Sequence, residues 1–514
     1  TIDIPGGVLN LGTANTSSAH LNAYENMTFN IDTDNDDTNR TFTWKTDSST
    51  ELMKLDEAGL LHTVQDYPNY RPTLDLNFAA VKKLDPRITY RRTGPASYTD
   101  EFGKVVLVGD NVPRFDHDGA TRECKGLLIE ESRKNYLENG DFVSSYGSGN
   151  SWSYGHGSDV YSASSGSQLS TNPDGTSPAY HYAPSSTAAH HRFNRTVTLD
   201  AYDTSYVASV FVKRVTAGSA SNLNRYLEIE LSGDFALNGA PTGHSGSHGM
   251  SSVTFDLQNV TSQYAGNSAV KSSGLVGDPK IEDYGNGWYR CSYVFNPGTN
   301  DGSSSLTGHI WFGHPNSGAG DVGNETGNGN PSFYLWGAMV EKGAFLTSYV
   351  PNHGALQNTR GSDDLVIDGE DLTDFHNQPE GTILADYKVI GGSPQIMYLS
   401  NDSVSRRIGL YEATNGQTRF LIGNSGTLAD TTDSAGTTVG DNIKVAGAYK
   451  LNDVAASKNG VISSTDSSVT IPDDIDRAYI GGYFNGDVSG VLGLRRLVYY
   501  QQRLPNSQLV TLTA

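Results

Sequence analysis

The chain has 514 residues, 36% of them hydrophobic, only two cysteines and a formal net charge of −21, with a mean hydropathy of −0.44. So negative a chain is unsuited to nonspecific attachment to nucleic acid or to an anionic membrane, because both need a positive field. Two cysteines make no disulfide framework, and no run approaches the ~18 apolar residues of a membrane span.

Composition also points to the fold class. Fifty-seven glycines and 28 tyrosines against five methionines suit strands and tight turns better than helices. The expectation is an all-β chain: a short N-terminal β attachment and oligomerisation region, then two antiparallel β-sandwich (jelly-roll) domains. Residues 1–62 form the first unit. Asn22 to Ile31, Arg40 to Lys45 and Leu52 to Leu60 show period-2 alternation, the signature of half-buried strands. Sixty residues with so few apolar groups cannot bury a good core alone. Phe29, Ile31, Phe42 and Trp44 are therefore expected to pack between identical chains.

Residues 63–135 form a β connector, with strand-like runs at Thr73 to Phe78 and Arg87 to Arg91. Residues 136–354 are read as a first sandwich, with strands at Tyr206–Lys213, Arg225–Leu231, Ser252–Asp256, Gly287–Phe295, Leu306–Phe312 and Ser332–Val340. Its long glycine-rich loops at 144–158, 240–250 and 313–331 are where binding is expected, since rigid sandwiches carry function on loops. Residues 355–514 are read as a second sandwich ending in a helix-like tail from Pro505. Cys124 and Cys291 read as buried thiols. The first residues, Thr1 to Pro5, carry no basic or apolar leader pattern, so no signal peptide is expected here.

Motifs with chemistry are few. Asp32, Asp34 and Asp36 have the oxygen spacing of a calcium loop, but Asp37 replaces its glycine and Thr43 its closing glutamate. A polar turn is the reading, with Ca²⁺ as the weak alternative and no other cofactor. Glu228 and Glu230 share a strand face at period 2, as a glycosidase pair would; a solvent-facing strand edge is the plainer reading. His190-His191 and His244/His248 lack any geometry that would fix a metal. No catalytic residue is assigned. Exposed aromatics are the better lead, because sugars stack their CH faces on rings. Trp152, Tyr154 and Tyr161 lie in loop-like sequence and are the candidate glycan platforms. Trp288, Trp311 and Trp336 alternate within apolar strands and read as core.

The run PRFDHDGATRECKGLLIEESRKNYLENGDF from Pro113 to Phe142 resembles a segment of tailed-bacteriophage virion proteins that leads into a sandwich. Upstream, LDLNFA and DPRITYRRTGPASYTDEFGKVV resemble the part that precedes it there. Downstream, GNGWYRCSY and YLWGAMVEKGAFLTSYVP are similar to the closing strands of a carbohydrate-binding-module-like jelly roll. The tail, with GTILADYK and LRRLVYYQQRL, resembles a concanavalin A-like (laminin G-like) sandwich. The resemblance implies a homotrimeric tail fibre or receptor-binding protein, assembled in the host cytoplasm and located in the virion. It would join other virion proteins at its N-terminal end and meet host surface polysaccharide through its sandwiches, without catalysis, nucleic acid or membrane insertion. A head fibre or a capsid or tail decoration protein, a polysaccharide depolymerase and a secreted lectin are the alternatives. Gly126 to Ile129 is expected to form a strand at the jelly-roll base, with Tyr349 to Pro351 returning beside it. Residues 71–135 would then pack with the second sandwich. Arg114, Glu130 and Arg133 are expected at that domain junction as structural charges.

Overall fold

The computed structural model describes residues 40–45, 51–56, 61–63, 71–142, 152–154, 160–163, 169–216, 224–233, 235, 251–264, 277–297, 306–314, 325–352, 357–425, 427–432 and 436–514. The chain divides into two units, Thr1–Tyr70 and Arg71–Ala514. In the first, Thr41–Lys45, Glu51–Asp56 and Leu61–Thr63 form an antiparallel three-stranded sheet. The strand period of two puts Phe42 and Trp44 on one face, with ring centroids 5.9 Å apart and Trp44 43% exposed. Asn22 to Ile31 lies outside the described residues.

The second unit is all-β apart from the short helices Gly369–Thr373 and Asn506–Thr513 among the described residues. None of these helices is long and apolar enough to cross a membrane. Its strands make two sandwiches. In the middle sandwich, one sheet runs Val160–Ala163, Tyr180–Ala183, Phe333–Lys342, Tyr206–Arg214, Trp288–Phe295, Lys280–Asp283, with Arg133–Asn135 paired beside Phe333–Lys342 and Asn358–Arg360 beside Arg133–Asn135. The facing sheet runs Ser153–Tyr154, Arg192–Leu199, Leu306–Gly313, Tyr226–Gly233, Ser251–Asp256, Thr261–Tyr264. Alternation, shifted by a bulge within Phe333–Lys342, sends Val210, Val212, Leu335 and Val340 from the first sheet, and Phe193, Ile229, Ile310 and Phe312 from the second, into one core.

The terminal sandwich has a seven-stranded sheet ordered Thr427–Thr432, Thr418–Asn424, Arg406–Glu412, Gln395–Ser403, Arg477–Ile480, Asp364–Asp368, Thr89–Arg91. Its facing sheet runs Val461–Ile462, Asp453–Lys458, Asn442–Lys450, Glu380–Gly391, Val491–Tyr500, Cys124–Glu130, Phe115–His117, and Leu74–Asn77 also pairs with Val491–Tyr500. Residues 74–130 thus supply strands to both terminal sheets, and Leu74, Leu76, Phe115 and Ile129 enter their common core.

The strand expected at the base of the middle sandwich belongs here instead: Leu127 to Glu130 stand opposite Leu494 to Val491. Gly126 permits that pairing. Its φ is +88°, and a Cβ there would stand 2.1 Å from the Leu494 carbonyl oxygen. The middle sandwich is entered and left at one place, because Arg133 and Asn135 pair with Arg360 and Asn358. Cys291 is buried, whereas Cys124, at the start of its strand, is only partly so.

Candidate functional site

The six-stranded sheet of the middle sandwich turns its second face away from the core. On Tyr226–Gly233, Leu227, Ile229 and Leu231 point inward, so Glu228, Glu230 and Ser232 point outward. By the same rule Leu306–Gly313 presents Thr307, His309, Trp311 and Gly313, and Arg192–Leu199 presents Arg192, Asn194, Thr196 and Thr198. Register aligns these into rows: Arg192, Gly313 and Glu228; then Asn194, Trp311 and Glu230; then Thr196, His309 and Ser232.

Contacts along the rows fix the side chains. Arg192 Nη1 donates to Glu230 Oε2 at 2.5 Å, and its guanidinium carbon lies 4.2 Å from the centre of the Trp311 ring. Trp311 Nε1 donates to Ser232 Oγ at 2.8 Å. His309 Nδ1 is 3.2 Å from Thr196 Oγ1, and Thr198 and Thr307 bring their hydroxyls within 3.1 Å. At the Arg192 end the face closes to a recess of about 10 Å³ between His190, Arg192, Glu228 and His314, room for about one water. At the other end Thr196 and Thr198 are exposed, and His309 and Trp311 are partly so. That end presents hydroxyls, an imidazole and an indole to solvent, with the Arg192 guanidinium carbon 4.2 Å from the indole's centre.

Several sequence expectations change. Trp152 is no exposed platform: it is only 9% exposed. It stacks on Phe142 at 4.6 Å between centroids and meets Phe193 and Phe312 edge-on, while its Nε1 donates to the Asn139 carbonyl at 3.2 Å. The indole closes one end of the core. Tyr154 and Tyr161 lie on strands rather than loops, opposite Phe193 and Tyr182, and so in two different sheets. Glu228 and Glu230 are not on a solvent-facing edge; they occupy a strand flanked on both sides and are 3% and 1% exposed. Of the three tryptophans read as core, Trp288 and Trp336 are buried, but Trp311 faces outward. The alternation Thr307, His309, Trp311 against Leu306, Ile310, Phe312 carried that information. Arg192–Leu199 was missed as a strand because Arg195 interrupts its apolar phase. His191 Nε2 lies 3.0 Å from the Thr187 carbonyl oxygen and 3.2 Å from the Gly327 nitrogen, which makes it a loop clamp. Asp32, Asp34, Asp36, His244 and His248 lie outside the described residues. Among the described residues, no group of three or more His, Cys, Asp or Glu could hold a metal.

Arg114, Glu130 and Arg133 lie in a buried ionic network where the two sandwiches meet. Glu130 Oε2 accepts from Arg114, lies 3.0 Å from Arg360 Nη1 and accepts from Ser348 Oγ at 2.6 Å. Arg114 Nη2 reaches Asp363 Oδ2 at 2.6 Å, and the Glu130 amide donates to the same oxygen at 2.8 Å. Arg133 lies 2.6 Å from Glu131 and 3.4 Å from Glu341. Burial alone would raise the Glu130 carboxyl; Arg360, Arg114 and the Ser348 donors outweigh it and hold the group at about 2. For Glu341 burial wins, and its carboxyl is pushed up despite Arg133 and Thr347.

No family model matches the chain and no curated protein matches it. Among solved structures, it is similar to the CBM40 domain of the IT-sialidase of Ruminococcus gnavus, bound to α2,3-sialyllactose. The identity is 18% over 27% of this chain and 84% of that one, with a TM-score of 0.24. It is also similar to domain 4 of AbnA, a GH43 extracellular arabinanase from Geobacillus stearothermophilus, in complex with arabinotriose. There the identity is 14% over 32% of this chain and 84% of that one, with a TM-score of 0.26. A SAP-like pentraxin from Limulus polyphemus shows 14% identity over 26% of this chain and 70% of its own, with a TM-score of 0.23.

Proposed function

We propose that the chain is a non-catalytic fibre protein of a tailed-bacteriophage virion, which attaches the particle to host cell-surface glycans through its sandwiches. The outer face of the six-stranded sheet carries the reading: Trp311 and His309 stand on it among Arg192, Thr196 and Thr198, with a ring and hydroxyl partners side by side. The resemblance of the Pro113 to Phe142 segment supports the virion setting. The partly open rings Phe42 and Trp44 support a homotrimer held by residues 1–62, which would also meet other virion proteins. Burial of Glu228 and Glu230, and the tie of Glu230 to Arg192, support binding without hydrolysis, because a glycosidase pair must reach its substrate.

The test is adsorption of the purified full chain to host cells, with competition by the host's own surface polysaccharide. Trp311→Ala should weaken adsorption about tenfold or more, the worth of one good aromatic contact, beyond what any fall in folded protein explains. Wild-type adsorption by that variant, or release of new reducing ends from the polysaccharide by the wild type, would sink the proposal.

A further inference from the structure

We infer a second saccharide site, on the outer face of the seven-stranded sheet of the terminal sandwich, selective for a carboxylate-bearing sugar and with Arg407 as its anion-binding residue. It deepens the glycan reading by naming a sugar class, and it lies on a different sandwich from Trp311, so the two stand or fall separately.

Arg406–Glu412 sends Ile408 and Leu410 into the core, so Arg407, Gly409 and Tyr411 face out. Tyr398, on the neighbouring strand, lies opposite Gly409. A Cβ at Gly409 would stand 2.3 Å from the Tyr398 ring, so the ring lies flat where the side chain is missing. Tyr398 meets Tyr411 at 5.8 Å and Tyr483 at 4.8 Å, and Tyr483 meets Phe484 at 4.3 Å. Tyr411, Tyr483 and Phe484 are each partly open to solvent. The turn that carries the last two is fixed: Tyr483 N donates to the Asp487 carbonyl at 2.7 Å and Gly486 N to the Tyr483 carbonyl at 2.8 Å. The aromatic wall is therefore formed before any ligand arrives, which lowers the ordering cost of binding.

Arg407 completes the wall. Its guanidinium carbon lies 5.5 Å from the Tyr483 ring centre and 5.3 Å from that of Phe484. Two neighbouring arginines are neutralised: Arg406 lies 3.0 Å from both Asp473 and Asp474, and Arg477 lies 2.7 Å from Asp402 and 3.1 Å from Asp476. Arg407 has no carboxylate partner among the described residues, and its Nε and Nη1 are buried without hydrogen-bond acceptors. A half-buried cation with no carboxylate beside it attracts an anion, even in a chain of net charge −21. A guanidinium is built to take a carboxylate. The rings beside it suit the CH face of the pyranose that carries one. An inorganic anion would use the charge and leave the rings idle.

The experiment is calorimetric titration of the full chain with oligogalacturonate, oligoglucuronate and oligosialic acid, each beside its neutral methyl ester, and with inorganic phosphate. At least one acid should bind, roughly tenfold or more tighter than its ester, the worth of one charge-assisted hydrogen bond, and less tightly as salt is raised. Arg407→Met should lose that preference, Arg407→Lys should keep only part of it, and Tyr483→Ala should weaken acid and ester together. Trp311→Ala should leave it intact. The inference is overturned if no acid binds, if acid and ester bind equally, if phosphate competes as well as the acid, or if Arg407→Lys binds like the wild type. Loss of acid binding in Trp311→Ala with retention in Arg407→Met would move the ligand to the first face and overturn it equally.

Discussion

Glu130 keeps its charge in the interior because two arginines and two Ser348 donors surround it. Such a carboxylate is more a matter of position than of net stability, since buried pairs repay their desolvation only narrowly. Removing one partner is different. Glu130→Ala would strand Arg360 in the interior and leave Arg114 with Asp363 alone, and should cost about 3–5 kcal/mol, read as a fall in the urea midpoint. The pH dependence has two windows. Burial pushes the His376 imidazole down from 6.5 to about 4. The unfolded chain therefore takes up this proton first, and stability present above 6.5 is lost as pH falls towards 4, by about 3 kcal/mol. The Glu130 carboxyl is held at about 2 against 4.5 unfolded, so its contribution is present above 4.5 and lost as pH falls towards 2. Urea midpoints measured from pH 7 downward should fall in that order, and His376→Gln should shrink the first fall, to which burial of His181 also contributes, while leaving the second.

At the scale of elements, one indole closes a core and another stands on a sheet face. Trp152 packs among Phe142, Phe193 and Phe312, so Trp152→Ala should destabilise by about 3–5 kcal/mol. It should lower glycan adsorption only in proportion to the protein that unfolds. Adsorption lost at an unchanged melting midpoint would show that Trp152 meets the ligand after all. Local patterning located the long central strands, including Tyr206–Arg214, Trp288–Phe295 and Leu306–Gly313, because period-2 alternation is a property of a few neighbouring residues. It failed on Arg192–Leu199, where Arg195 faces the core side and reaches Glu138 at 2.5 Å. The strand that supplies Arg192 to the candidate face was hidden by an ion pair that no local pattern announces.

For the whole molecule, residues 136–357 leave the terminal sandwich and return to it between paired strands. Insertions tolerate this geometry because entry and exit lie together. The first unit has a different problem. Among its described residues, three short strands leave Trp44 43% exposed, where the proposed association of chains would cover it. On the proposed homotrimer, the full chain should run as a trimer in light scattering, and residues 71–514 alone as a folded monomer. A trimer formed by 71–514 would place the assembly surface in the sandwiches instead.

By itself the sequence determined the all-β class, the position of long central strands and the tight turns between them, since alternation and turn chemistry are local. The tertiary structure alone decided the partners. Leu127 stands beside Leu494 and Arg133 beside Arg360, pairings across hundreds of residues that rest on backbone hydrogen bonds any residue can make. It also decided that Trp152 is covered: Phe193 and Phe312, which close over it beside the nearby Phe142, come from strands distant in the chain.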